Sequence, residues 1–483
     1  MLVQLPIMQS PDPAAEAIAV VDVVVAEAET VVVVAVALDG GGVEVDVDVD
    51  AWLLLDPQAA SRSPAERSTT DIEPARRDVS ILSSSRRLAA TGKELASTRR
   101  ASQTLMERRL GVPAKRKVIQ WATGAVGLHG LKAIVEHPDL ELVGLVVHDL
   151  AKSGQDAGAF FGGPATGVVA TTDVNAALNL DADVVSYMAT GDIRMAEAID
   201  DMCAALAHGK NVVASAVVPL VYPAAFPPDL VARLDKACLE GNTSCFTSGI
   251  DPGFANDVLP LALSGLCRRI DTVRVQEIFN YATYPQPAAT FDLLGMGHPL
   301  EYEPLIFQPG MLSFAWGPVV HQLAAGIGLE LDTIRASHER LVTEQKISTP
   351  VGVVDAGTVG AFRWQLAGVV GGDERIFVEH ITRMHDDLAP DWPQPRINIS
   401  PEDRGFDGAS GQGQYRVLIE GSPTIHCDLE LAQDNDHDQG ARVATASRLI
   451  NAVAAVCDAP PGVLSALDLP LITGRAPLSA PNT

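Results

Sequence analysis

No lysine or arginine occurs before Arg62, although the same stretch carries eleven aspartates and glutamates. The 483-residue chain as a whole has 35 basic side chains against 61 acidic ones, a formal net charge of −26. A phosphate backbone is held by clustered Lys and Arg, and the field here repels it, which argues against nucleic acid as a partner. Uninterrupted apolar runs are missing too. Residues 17–38 are rich in Val and Ala, but Asp22, Glu27 and Glu29 break the run, and each would be costly at a bilayer centre. The basic n-region of a signal peptide is absent. The expectation is a cytoplasmic protein with no membrane partner. None of the six cysteines forms a CxxC pair, and no Cys/His set has zinc spacing, which suits a reducing compartment and gives no metal ligands. HExxH and GxSxG are absent as well, so metalloprotease and serine-hydrolase chemistry have no support.

What is present falls into segments. Residues 1–112 read as a low-complexity, disordered extension. An acidic head, whose alternating stretch 43–50 resembles one exposed strand without a partner, is followed by a Ser/Thr/Ala/Arg linker at 61–109 with little capacity to bury surface. Met106 is a candidate initiator, and the core is expected to fold without residues 1–105. Residues 113–256 alternate short apolar strands (118–121, 142–148, 168–170, 183–189, 211–214, 244–247) with helical stretches (125–136, 174–178, 194–208, 229–240). That alternation predicts a parallel, doubly wound Rossmann-type sheet, so the fold class is α/β. Residues 257–440 change to alternating strands at 273–281, 364–370, 376–383, 415–420 and 425–431, turned at Gly371-Gly372 and at Gly421-Ser422-Pro423. They predict an α+β substrate or oligomerisation domain with a mostly antiparallel sheet. Residues 408–414 are expected to be an exposed loop, and 434–438 (DNDHD) a solvated acidic turn lacking the glycine and glutamate of a calcium loop. Residues 441–483 form a last helix, stopped by Pro460-Pro461, and a tail.

The first strand of the doubly wound unit runs into Ala122-Thr123-Gly124-Ala125-Val126-Gly127, a G-x-G-x-x-G turn with Ala122 in the first glycine's place. Gly124 permits backbone approach to a pyrophosphate, and Gly127 permits close helix–strand packing; Thr123, Ala125 and Val126 complete the turn. Asp149, at the end of the second strand, is spaced to accept from a ribose 2′-hydroxyl, while Lys152 and His148 could meet a 2′-phosphate. These residues leave NAD and NADP open. Ala189, Thr190 and Ser215 occupy carboxyl ends of later strands, where the nicotinamide half is expected.

These residues, with the blocks VIQWATGAVGLHGLKAI, LVGLVVHDLAKSGQDAG, GKNVVAS…PLVYP, SGIDPGF, EHITRMHDDLAPDWPQP and DLPLITGR, resemble the dihydrodipicolinate reductase-like superfamily. Within it they are most similar to the actinobacterial branch near 2,4-diaminopentanoate and native amine dehydrogenases. The resemblance spans roughly residues 115–475. It implies an NAD(P)-dependent oxidoreductase transferring hydride at a C=N or C–N carbon of a small substrate, and a homodimer or higher homo-oligomer. The family's His-His pair and Lys are not found at residues 277–284, and the acidic Cys-Glu-Glu segment is replaced by Ala216-Val217-Val218-Pro219. Proton transfer must therefore come from elsewhere. Tyr281 and His298 are the candidate donors, with Tyr284, Trp316 and His321 in segments expected to face the same cleft; the apolar 216–220 segment suggests a pocket poorly suited to a cation. The alternatives are a nucleotide-binding sensor that has lost catalysis, or a reductase of similar fold acting on C=O or C=C.

Overall fold

A computed structural model describes residues 114–191, 194–396 and 412–475, and the backbone of residues 22–26, 30–39 and 42–46. Met1–Ala114 and Lys115–Thr483 are separate compact units. In the first, β1 (Asp22–Ala26), β2 (Thr30–Asp39) and β3 (Gly42–Asp46) make an antiparallel meander. The acidic strand expected to stand alone thus has a partner: Gly42 to Asp46 pair with residues 35–39. The linker of residues 61–109 lies outside the described residues.

The second unit begins with a wholly parallel sheet. β4 (Arg116–Trp121), β5 (Leu140–Val146), β6 (Ala170–Thr171), β7 (Val184–Tyr187), β8 (Asn211–Ala214) and β9 (Ser244–Thr247) alternate with α1 (Gly127–Glu136), α2 (Val174–Leu178), α3 (Met195–Ala207) and α4 (Pro228–Gly241). The central strands are covered on both faces and read as continuous apolar runs, as parallel strands must. Val118, Ile119, Trp121, Val184 and Val185 are fully buried. α1 turns Leu131 and Ile134 onto the sheet and stops before Pro138, whose preceding residue is pushed out of the helical region.

Short α5 (Val258–Ser264) leads into a six-stranded sheet. Its strands are β10 (Arg269–Asn280), β11 (Thr333–Val342), β14 (Val359–Val370), β15 (Asp373–Arg383), β16 (Gly413–Ser422) and β17 (Ile425–Leu429). A small hairpin, β12 (Ile347–Thr349) with β13 (Gly352–Val354), lies between β11 and β14. The spatial order is β11-β14-β15-β10-β16-β17, antiparallel except for the central β10–β15 pair. One face packs on α6 (Met311–Ile327), with Val319, Val320 and Leu323 against Leu366, Ile376 and Val378. The chain then returns to the first sheet. α7 (His437–Asp458) covers it, and β18 (Gly462–Leu464) adds to the edge of β9 in parallel.

Two expectations are corrected here. Gly413 and Gln414 are not in an exposed loop; they open β16 and are buried, because Gln414 accepts from the Arg396 amide at 2.6 Å and donates to Asp428 at 2.9 Å. The acidic turn at 434–438 is not fully solvated. His437 and Asp438 begin α7 and are buried, His437 against Glu430 (3.0 Å) and Asp438 against Thr283 (2.7 Å). α6 and β11 were not anticipated. Among the described residues no helix is long and apolar enough to cross a membrane.

Candidate functional site

The residues after β4 hold a tight turn. Ala122 takes the left-handed conformation at φ 77°, which costs an L-residue roughly 1–2 kcal/mol. Its amide donates to the Val146 carbonyl at 2.8 Å, and its carbonyl accepts from buried Gln120 at 3.0 Å. The two glycines act differently. A Cβ on Gly127 would meet the Ala122 carbonyl oxygen at 2.4 Å, whereas a Cβ on Gly124 would meet nothing within 4 Å. Gly127 is therefore needed by the protein itself, and Gly124 faces open space at the start of α1. Backbone amides and a helix N-terminus facing free volume fit a dinucleotide diphosphate.

That space is part of a cleft of about 320 Å³ between the two sheets. Gly124, Ala125, Val126, Ala189, Thr190 and Ser215 line its nucleotide wall, so six of the expected cofactor residues share one surface. Loops 189–191 and 215–218 approach so closely that a Cβ on Gly191 would lie 2.6 Å from the Val217 amide nitrogen. Thr123 and Lys152 are joined to each other: Lys152 Nζ donates to Thr123 Oγ1 at 3.0 Å. His148 and Asp149 are exposed beyond the end of β5, and Asp149 accepts from the Ala151 amide at 2.9 Å.

The opposite wall carries the ionisable groups. Asp251 comes from the loop after β9, Glu277 from β10 and His380 from β15. In the parallel β10–β15 ladder Glu277 stands opposite His380, and the same row continues to Trp364 on β14 and Tyr415 on β16. His380 Nε2 lies 3.1 Å from Asp251 Oδ2, an ionic contact without aligned hydrogen-bond geometry, and Nδ1 lies 3.5 Å from Glu277 Oε1. All three side chains are at least nine-tenths buried. Trp364 stacks on the imidazole at 4.2 Å, and Trp316 meets it edge-on at 5.0 Å. Trp316 Nε1 and Asn256 Nδ2 donate to Asp251 Oδ1, at 3.1 and 2.7 Å. Tyr281 donates to Glu277 Oε1 at 2.7 Å.

Burial pushes the Glu277 carboxyl up to about 7, against the opposing pull of the His380 charge. Burial works against a charged His380, but Asp251 and Glu277 outweigh it and raise its pKa above the ordinary imidazole range. The two acids thus favour the charged form of the imidazole that lies between them, and both line the cleft. One ligand atom from each of the three residues falls within 4.8 Å of the others, close enough for a metal ion. Asp438, also on the cleft, is raised well above the carboxylate range by burial. Such a wall can take up or return a proton near neutral pH.

Of the two candidate proton donors the structure places Tyr281 in the cleft, bonded to Glu277. His298 is not among the residues that line this cleft; its ring stacks on Tyr302 at 4.1 Å. Trp316 reaches the acids, whereas His321 is exposed on α6. Of the apolar segment at 216–220, Val218 lines the cleft. Ala216, Val217 and Leu220 belong to the core of the first sheet, and acids from other elements line the cleft. Asp251, Glu277 and His380 were missed, yet a signal existed. In β10, positions 273, 275, 277 and 279 point one way as Val, Val, Glu and Phe, and in β15 positions 376, 378 and 380 are Ile, Val and His. An ionisable residue on the apolar face of a strand is buried, and a buried charge needs a partner.

Known proteins match this architecture. Residues 254–477 match the model of the 2,4-diaminopentanoate dehydrogenase C-terminal domain. An amine dehydrogenase of Streptomyces virginiae is 40% identical over 356 residues, covering 73% of this chain and 96% of that protein. The 2,4-diaminopentanoate dehydrogenase of Acetoanaerobium sticklandii is 26% identical over 362 residues, 74% of this chain and 94% of its own. The solved amine dehydrogenase of Mycobacterium smegmatis shares the fold with a TM-score of 0.61 at 20% identity, covering 76% of this chain and 99% of that one. The chain therefore belongs to the family of amine dehydrogenases and 2,4-diaminopentanoate dehydrogenases, within the dihydrodipicolinate reductase-like group, and is a nicotinamide-dependent oxidoreductase.

Proposed function

We propose that the protein interconverts a small primary amine and the corresponding imine, with Glu277 as the group that exchanges the nitrogen's proton. The observation that carries this reading is the pair of cleft-facing carboxylates, Asp251 and Glu277, on either side of buried His380. Bound NAD(P) supplies the hydride acceptor or donor.

An aliphatic amine reaches the cleft mostly as an ammonium ion, where Asp251 and ionised Glu277 can receive it. Its lone pair is tied up by the extra proton. Ionised Glu277 accepts that proton, so the nitrogen lone pair can form the C=N bond as the carbon's hydride leaves. The amine thereby loses a hydride and two protons in all, the second coming off as the iminium becomes imine. In the reductive direction protonated Glu277 returns a proton to nitrogen. Tyr281, donating to Oε1, and His380, beside the same oxygen, orient the carboxyl. Lys152 supplies charge for a 2′-phosphate and Asp149 an acceptor for a 2′-hydroxyl, so both NAD and NADP are expected to bind.

Glu277→Gln keeps the shape and removes the proton exchange. Across a panel of small amines, kcat/KM should fall by roughly 10²–10⁴-fold, with the Kd for reduced cofactor, read by its fluorescence, unchanged. Near-normal turnover by this variant, or turnover of alcohols but no amine by the wild type, would reject the reading.

A further inference from the structure

We propose that Arg442, delivered by the C-terminal helix, is an anion anchor of the dinucleotide site and contacts the diphosphate held at the turn of residues 122–127. The inference rests on the cofactor reading above and concerns a residue far from the turn in sequence.

α7 lies alongside α1, and Ala446, Leu449, Ile450 and Val453 share a buried cluster with Ile134 and Val126. The N-terminal ends of both helices open onto the same cleft. Arg442 lines it together with Gly124, Ala125 and Val126. The guanidinium is close enough to the first turn of α1 to act on His129, whose pKa is lowered by burial first and by Arg442 second.

Arg442 has a backbone partner and one nearby carboxyl, Asp438, on which its charge acts against the effect of burial. Arg442 Nε donates to the Asp438 carbonyl at 3.2 Å. The Asp438 carboxyl, one turn earlier, accepts from Thr283 Oγ1 instead. Among the described residues Arg442 makes no ion pair, in a chain whose net charge is −26. A half-buried guanidinium that makes no ion pair among the described residues and shares a cleft with a helix N-terminus has the chemistry of a phosphate clamp. The helix amides hold one side of the anion, and the planar fork of donors holds the other. A substrate carboxylate would use the same chemistry, but the glycine turn on the facing wall favours the diphosphate.

The test compares wild type with Arg442→Ala and Arg442→Lys, using NADPH and NADH by fluorescence, and ADP-ribose and adenosine by calorimetry. Loss of a charge-assisted hydrogen bond to a diphosphate should weaken both reduced cofactors and ADP-ribose about 10- to 100-fold. Adenosine binding should be unchanged, and Arg442→Lys should recover part of the loss. Arg442→Gln keeps the stem and replaces the alanine variant if that one fails to fold. Unchanged ADP-ribose affinity would overturn the proposal. So would an intact cofactor Kd accompanied by a raised KM confined to amines that carry a carboxylate, which would assign Arg442 to substrate. A wild-type protein that binds adenosine but neither ADP-ribose nor reduced cofactor would overturn the cofactor reading itself, and this inference with it.

Discussion

The glycine turn on one wall of the cleft is made by consecutive residues, 122–127, between one strand and the helix that follows it. The acid–base wall assembles Asp251, Glu277 and His380 from a loop and two strands, joined by the register of a sheet. The first wall works through backbone groups, and its side chains are chosen for their smallness. The second works through side chains that the core must bury and neutralise. A change in the first wall should therefore damage either the fold or the cofactor site, depending on which glycine is altered. A change in the second should alter chemistry and its pH dependence while leaving cofactor affinity in place.

The largest test of this contrast is the loss of turnover expected for Glu277→Gln with cofactor affinity retained. Next come the two glycines of the turn. Gly127→Ala forces a Cβ against the Ala122 carbonyl and should lower stability by about 3 kcal/mol in urea denaturation. Gly124→Val has room in the free protein, so its unfolding midpoint should barely move while cofactor binding is abolished. Equal effects of the two on stability would erase the distinction between them. A smaller effect is expected at His380. The imidazolium holds the Glu277 carboxyl down against burial, so its removal raises that pKa further. A base that must be ionised then needs a higher pH, and the acidic limb of kcat/KM for amine oxidation should move up by about one unit in His380→Gln. A limb that stays in place or moves down would detach His380 from Glu277. The smallest effect belongs to Ala122→Gly, which relieves a left-handed alanine; thermal unfolding should report a gain of about 1 kcal/mol.

What the sequence revealed follows the same division. The β4-turn-α1 motif is local, so spacing alone identifies it, and the alternation of strands and helices predicts the parallel sheet. β10 and β15 were each visible as alternating strands, but nothing local says that they pair in parallel or that Glu277 comes to face His380. Asp251 lies in an irregular loop and gives no periodic signal. His298 was a candidate because its segment was expected to face the cleft, and its ring stacks on Tyr302, a contact that no spacing encodes. The start of α7 was misjudged for a related reason. Its Asp-Asn-Asp-His-Asp composition is that of a solvated turn, yet Asp436 caps the helix by accepting from the Gln439 amide at 2.9 Å, and the next two residues are buried.

The strand that completes the parallel sheet, β18, is among the last described residues of the chain and pairs with β9. All of the second sheet is synthesised between the two. At ordinary elongation rates that interval is roughly ten to forty seconds. During this time the edge of β9 presents unpaired backbone groups, the usual template for contact with another chain. α7, whose Ala446, Leu449 and Val453 seal the same sheet, also arrives only then. The nascent chain thus carries a nearly complete nucleotide domain with an open edge and an uncovered apolar face until its final helix and strand emerge. A truncation of even the last twenty-odd residues, which removes β18 and leaves α7, would make the exposure of the β9 edge permanent.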